Sequence, residues 1–491
     1  MNFFLIVFVV TLFIKNIAFS QEQRLQSLNA PSQRSVFEND ETRQNIKNNF
    51  NVNFSFQSLN YSSPFDVENS TNNAFQENNF GLNFKYINDD LGQLKINGLF
   101  QTDLNRSQNT TFAVPEAYQT YQFQKLFDYK QVLYVGRSVH FTHDADQRFN
   151  LGLVHPHFTQ DHIHYESQGL TGFEYVLESS KGQIYFGGYP FYLPNQDPGV
   201  KVENGQIVAQ NRWASQAPKY FLFNETQKNI VYEIKNYNIS DIVMNPSYRV
   251  GAVLNANSIW DKLESISLGY KRSPMNNIVL SRETYADLQL QGQVKLAPVI
   301  NYTQQSYADV TLNVNKYKLI YSYLNDLPDE LSAQKNQSIQ SMSQLNIQSF
   351  TFEAPHYLLN ELPQKTYISY AMIDGGEVRD LNSDGSENII TVAKNRQKFF
   401  KPFKIGSVNN FYLNLKNPIQ TKIEYTFDSQ QKGAILSFES RYSINQPTLI
   451  NFGFDILGSS YSALGQDDSA DYFLVKNQAY DRFFAGVNYV Y

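Results

Sequence analysis

From Phe50 onward the chain alternates apolar and polar positions with a period of two, Phe50, Val52, Phe54 and Phe56 standing against Asn51, Asn53, Ser55 and Gln57. Such a dyad gives an extended strand one apolar and one polar face. It returns at Phe80, Leu82, Phe84 and Tyr86, at Leu94, Ile96, Gly98 and Phe100, at Thr421, Ile423, Tyr425 and Phe427, and at Ala434, Leu436 and Phe438. The opposite faces carry Asn83, Lys85, Lys95, Asn97, Gln101 and Asp103 early in the chain, and Lys422, Glu424, Asp428, Glu439 and Arg441 near its end. Roughly twenty candidate strands of about ten residues result, among them 229–237, 285–302, 306–314 and 387–393.

Alternation alone fits a soluble, half-buried sheet equally well. Strand length and connection length separate the two cases. About ten residues is what a tilted strand needs to cross ~25 Å of hydrocarbon. Tight connections at Asn417-Pro418 and Gln430-Gln431-Lys432-Gly433 coexist with long irregular ones at 140–168, 192–228, 325–342, 374–397 and 458–481. That mixture predicts short turns at one rim and long loops, with one tight exception, at the other. The predicted fold is all-β, a single transmembrane antiparallel β-barrel over 50–491 with 16–18 strands and 18 favoured, because single-chain bacterial barrels have even strand numbers.

Composition supports this picture. The chain has 38 Phe, 33 Tyr, no Cys and only 18% charged residues. A mean hydropathy of −0.44 excludes a bundle of membrane helices, and after residue 20 no stretch approaches the ~20 apolar residues of a spanning helix. If the chain crosses a membrane, it does so with strands. Residues 3–14 are apolar and Ala18-Phe19-Ser20 supplies small residues, which predicts a cleaved signal peptide over 1–20, followed by a polar, flexible lead-in over 21–49. Absent Cys removes disulfide scaffolds and thiolate metal sites. A net charge of −6 points neither to nucleic acid nor to an anionic membrane surface as partner.

The last residues, Gly486-Val487-Asn488-Tyr489-Val490-Tyr491, form an amphipathic strand able to pair with the first and leave no open edge. Pro115-Glu116-Ala117-Tyr118, with the alternating run that follows and Leu133-Tyr134-Val135-Gly136-Arg137, resembles the paired strands of substrate-type porins and alginate-export-like barrels. Asp481 through Tyr491 is similar to their last strand. These motifs span a small fraction of the chain. The resemblance implies a bacterial outer-membrane location, assembly by the barrel-assembly machinery through the C-terminal strand, outer-membrane lipid around the wall, and passive passage of small hydrophilic solutes. It is compatible with a homo-oligomer.

Candidate chemistry is sparse. Lys95, Asp103, Arg137, Lys422, Glu424, Asp428, Glu439 and Arg441 are the expected pore-lining charges. The stretch 192–228 is too long for a plain connection and holds Asp197, Lys201, Glu203 and Arg212, which suits a loop folded inward to narrow the pore. Asp380, Asn382 and Asp384 before Gly385 follow the first half of a calcium loop, with Glu387 available to complete the sphere; a full helix-flanked loop would carry Glu at the position of Thr391. Calcium is thus a candidate ligand, and no cofactor is required. All but one of the seven histidines lie at 140–164, as His140, His143, His155, His157, His162 and His164. If the two His-x-His units paired as a hairpin, four imidazoles could converge on a metal; otherwise they are polar residues of a wet loop. No nucleophile, phosphate-loop or dinucleotide signature is present, so no catalytic residue is expected. The expected function is a porin-like channel. The alternatives are a barrel that binds a partner through its long loops and, behind it, a barrel enzyme.

Overall fold

The computed structural model describes residues 50–62, 74–88, 92–103, 110–126, 128–139, 143–154, 157–158, 163–164, 166–192, 200–209, 218–223, 226–235, 242–243, 245–257, 259–280, 284–329, 340–356, 364–381, 386, 394–411, 417–445, 447–461, 472–478 and 480–490. The expected signal peptide and lead-in lie outside them.

Eighteen antiparallel strands form one closed sheet. They are β1 (Phe50–Ser62), β2 (Ala74–Asn88), β3 (Gly92–Asp103), β4 (Thr110–Leu126), β5 (Tyr129–Ser138), β6 (Leu170–Ser179), β7 (Gly182–Tyr189), β8 (Ser247–Asn255) and β9 (Leu263–Leu280). The second half comprises β10 (Gln293–Val314), β11 (Tyr317–Pro328), β12 (Leu345–His356), β13 (Gln364–Gly375), β14 (Pro402–Phe411), β15 (Ile419–Asp428), β16 (Gly433–Asn445), β17 (Thr448–Ser459) and β18 (Arg482–Val490). Each strand pairs with its sequence neighbour, and β18 closes on β1 in the register Asn53↔Val490 to Tyr61↔Arg482. Closure pairs the backbone groups of every wall strand within the sheet, which is what allows strands to stand in hydrocarbon.

The two rims differ as the connection lengths predicted. Residues 180–181 and 315–316 make turns at one rim, where the short connections 89–91, 127–128 and 446–447 and both ends of the wall also lie. The connections 139–169, 190–246, 329–344, 376–401 and 460–481 lie at the other, with 429–432 as the tight exception. Some strand expectations change. The stretches 285–302 and 306–314 are one strand of 22 residues, β10, preceded by helix α2 (Thr284–Gln291). Residues 231–234 form a strand outside the barrel wall, paired in parallel with Gln293–Leu296. The expected strand 387–393 lies outside the described residues.

Side-chain parity assigns the faces. Phe403 and Ile405 of β14, Ile423, Tyr425 and Phe427 of β15, Phe452 and Ile456 of β17, and Phe483, Val487 and Tyr489 of β18 are all exposed and share one face. Lys404, Thr426, Asp428, Asn451, Asp455, Arg482 and Asn488 alternate with them and are buried. The first row suits lipid and the second faces the interior. Placing a charge in the outer row near the middle of the wall is therefore expected to be costly: Phe452→Arg should lower stability by ~2–4 kcal/mol in urea unfolding from bilayers. A loss below ~1 kcal/mol would place Phe452 outside the hydrocarbon.

Candidate functional site in the barrel lumen

The described part of the β5–β6 connection folds back into the barrel. It begins with a short helix, α1 (Asp144–Phe149), whose N-cap His143 accepts the Asp146 N–H at 3.4 Å. Asp144 and Asp146 in its first turn and Arg148 in its last complement the helix dipole. Asn150 ends it in the left-handed region at φ 52°, a conformation that Asn tolerates better than most residues. The Asp146 carboxylate accepts the N–H groups of Leu153 and Val154 at 2.8 and 3.0 Å, which folds the chain tightly behind the helix. Burial pushes this carboxyl up, against the lowering effect of those two N–H groups and of His143.

The contacts of this short segment locate it. Asp144 N–H donates to Asp309 of β10, and His143 Nε2 lies 3.1 Å from Tyr323 O of β11 and 3.3 Å from Asp309. Lys271 of β9 donates to Val154 O, and Gln305 of β10 donates to Leu153 O at 2.8 Å. Arg148 pairs with Glu353 of β12 at 2.7 Å and lies 4.4 Å from the Tyr367 ring centroid of β13, while Lys404 of β14 donates to Arg148 O at 2.7 Å. Burial alone would lower the Arg148 pKa, but Asp144 and Glu353 beside it carry it above its ordinary value. At the returning leg, His164 Nε2 meets both carboxylate oxygens of Asp455 of β17 at 2.9 and 3.1 Å. Only a segment inside the barrel can touch the inward rows of so many successive strands.

The interior is a packed core on this side. Ala145, Phe149, Leu151, Val154 and Ile163 of the insert bury against Leu324 of β11, Leu345 and Ile347 of β12, Ala371 and Ile373 of β13, Ile435 of β16 and Leu457 of β17. At these positions the strands are apolar on both faces, as strands covered on both sides are. Three aromatic rings touching the insert, Tyr307, Tyr367 and Phe484, each lie across a glycine directly opposite on the neighbouring strand, Gly269, Gly406 and Gly453. A Cβ at any of the three would stand within 2.4 Å of ring atoms, so glycine is what lets the rings lie flat and leave room for the insert. Between Phe149, Ile163, His164, Phe399, Lys404 and Glu424 a cavity of about 30 Å³ remains, enough for roughly one or two waters.

The expected lining charges divide by environment. Lys95 stands on the inward row paired with Glu116 of β4 at 2.7 Å. Glu424 is held by Lys422 at 3.0 Å, Lys404 at 3.6 Å and the Tyr367 hydroxyl, and Glu439 by Arg441 at 2.9 Å. Asp103 occupies an inward register position, opposite Glu77, and its side chain lies outside the described atoms. Two expectations need correction. Arg137 is on the outer row: it pairs in register with Ala117, next to exposed Val135, and donates to Thr171 Oγ1 and Val114 O near the long-loop rim. Asp428 is inward but fully buried, because its carboxylate accepts the N–H groups of Phe400, Lys401, Gln430 and Gln431 and is consumed in tying two loops to the rim.

The expected constriction loop is described only in part. In the described part of 192–228, Val200–Glu203 pairs with Gln206–Ala209, placing Glu203 opposite Gln206, and Tyr220–Phe223 pairs with Thr226–Asn229. Val231–Ile234 follows and docks on Gln293–Leu296 of β10. Residues 293–302 run on past the pairing with β11, and there Val294 and Leu296 are buried with Ile230 and Tyr232. The described contacts with the inward rows place the β5–β6 loop inside the lumen. Asp197, Arg212 and the Lys201 side chain lie outside the description. So do Asn382, Asp384, Glu387 and the side chain of Asp380, whose backbone ends a strand opposite Gln340. The histidine hairpin is not formed as expected: His157 stands opposite Ser167, while His143 and His164 go to Asp309 and Asp455. Among the described residues no three His, Asp or Glu side chains converge as a metal shell. The role of the returning leg was missed because no local pattern announces a loop that packs inside its own barrel.

No known family model matches the sequence, and no curated protein matches it. Solved structures of similar shape include the outer membrane protein opdK from Pseudomonas aeruginosa, at 12% identity and a TM-score of 0.47, covering 90% of this chain and 98% of that one. OpdF of Pseudomonas aeruginosa in complex with glucuronate covers 90% and 97% at 10% identity and a TM-score of 0.45. A triple mutant of the Rhodopseudomonas blastica porin covers 90% and 99% at 7% identity and a TM-score of 0.34. This chain is itself a closed eighteen-stranded antiparallel β-barrel with the described part of its β5–β6 loop packed into the lumen.

Proposed function

We propose that the protein is an outer-membrane channel that passes small hydrophilic solutes by diffusion through a bore narrowed by the 143–169 insert. The observation that carries this reading is the combination of a closed wall, an apolar outer row, and an inner row rich in amides and paired charges such as Lys95–Glu116 and Arg441–Glu439. Water and polar solutes are favoured inside such a wall and lipid outside. Because the lining charges occur in opposite pairs, bore rather than a single-sign field sets the selectivity. Export through an N-terminal signal and assembly through β18 belong to the same reading. The test is conductance in a planar bilayer: discrete unitary steps are expected, and a folded protein without them would reject the channel.

A second reading, a barrel that binds a partner through its long loops, is favoured by the extension of the β9–β10 pair beyond β11, where Val294 and Leu296 form an apolar cluster with Ile230 and Tyr232 of the β7–β8 connection. Silence in the bilayer would leave it standing. Calcium at Asp380, Asn382, Asp384 and Glu387 is proposed on the D-x-N-x-D-G spacing alone. Ca²⁺ should then raise Tm in detergent by a few degrees, and Asp380→Ala with Asp384→Ala should abolish the rise. Identical melting curves with Ca²⁺ and with chelator would dismiss the site.

A further inference from the structure

The turn joining β8 to β9, residues 256–262, stands at the short-turn rim and carries Ile259 and Trp260 outward, 67% and 52% exposed. It is a formed turn: the N–H groups of Ile259 and Trp260 donate to Ala256 O, and that of Leu263 donates to Trp260 O. Neighbouring turns are bonded to it. Asn255 donates through its backbone to Lys181 O at 2.9 Å and through its amide to Ser180 O at 2.8 Å. On the other side the Asn313 N–H donates to Lys262 O at 2.6 Å.

The three turns gather Lys181, Lys262, Lys316 and Lys318, against Asp261 and Glu264. Glu264 pairs with Lys318 at 2.8 Å, and with four lysines against two carboxylates the patch as a whole is basic. Lys316 lies 5.7 Å from the ring centroid of Tyr317, and that ring stacks on Phe352 of the lipid-facing row at 5.5 Å. The basic patch is thus continuous with the apolar outer surface. Tryptophan favours the boundary between headgroups and acyl chains, and lysines beside it attract anionic headgroups. We propose that this rim patch binds anionic phospholipid, with Ile259 and Trp260 set below the headgroups and Lys181, Lys262 and Lys316 at the phosphates. The attraction is local, since the chain as a whole carries −6. The proposal rests on the transmembrane barrel and not on the channel reading.

Trp213 is the other of the two tryptophans, so Trp213→Phe leaves Trp260 as the sole reporter. The full chain is refolded into phosphatidylcholine vesicles containing phosphatidylglycerol, with one lipid or the other brominated at equal mole fraction, and folding is checked by heat-modifiable migration. Brominated phosphatidylglycerol should quench Trp260 about twofold more than brominated phosphatidylcholine. Lys181→Gln, Lys262→Gln and Lys316→Gln together should bring the two to equality. Equal quenching with the native lysines would overturn the anionic preference, and water-like emission unquenched by either lipid would overturn membrane contact. If Trp213→Phe does not fold, the difference between the native chain and Trp260→Phe gives the same reading. Conductance of the same vesicles reports on the channel separately.

Discussion

Asp455→Ala is expected to destabilise the folded barrel by about 3–5 kcal/mol, the cost of breaking a buried ion pair from one side. Asp455 is fully buried and accepts from Arg482 Nε and from Ser437 Oγ, both at 2.5 Å, while His164 stands against both its oxygens. Removing the carboxylate takes the buried Asp455 counter-charge from the Arg482 guanidinium and breaks the contact of His164 in the returning leg at once. His164→Ala separates these effects, because it frees the leg and keeps Asp455 with Arg482. It should cost much less in urea unfolding while still changing the bore. A loss below ~1 kcal/mol for Asp455→Ala would mean that the pair is hydrated and not part of the packed interior.

Asp428→Ala should be of similar size, about 3–5 kcal/mol, for a different reason. One carboxylate satisfies four backbone donors at the long-loop rim, the shortest being Phe400 N–H at 2.6 Å. Gln431 continues the tie: its amide donates to Lys398 O at 2.5 Å and its oxygen accepts the N–H of Leu474, in helix α3 (Phe473–Lys476), at 2.8 Å. Phe399 packs against Phe473 and Phe400 against Tyr472 across the same junction. Loss of Asp428 strands those donors and loosens the 376–401 and 460–481 loops together. Limited proteolysis should cut both loops faster than in the native chain. Unchanged cleavage with an unchanged melting curve would show that the aromatic contacts suffice.

The wall was legible in the sequence because strand parity is a local, period-two signal. Ile423, Tyr425 and Phe427 against Lys422, Glu424 and Thr426 already give the two faces of β15, and the loop lengths give the two rims. The signal failed where tertiary covering changed the meaning of a position. Leu345, Ile347 and Ile373 break the polar inner row, since the insert and not water faces them. Arg137 was assigned inward on its charge, although its place two residues after Val135 puts it in the outer row. The 192–228 stretch was read as the constriction from its length, and length alone cannot say whether a loop turns inward. The residues that do enter, Ala145, Phe149, Leu151, Val154 and Ile163, have neither a helical nor a strand period long enough to mark them. Their apolar character within a connection was the one available clue.

The central claim is that the β5–β6 insert sets the bore of a conducting barrel, and single-channel recording of two proteins tests it most directly. In one the chain is native; in the other residues 143–166 are replaced by a short Gly/Ser linker, with the barrel confirmed by heat-modifiable migration. Small discrete openings are expected for the native protein, and a several-fold larger unitary conductance once the insert is gone, because the apolar filling of Phe149, Leu151, Val154 and Ile163 would leave the lumen. Equal conductance in the two folded proteins, or silence in both, would contradict that claim.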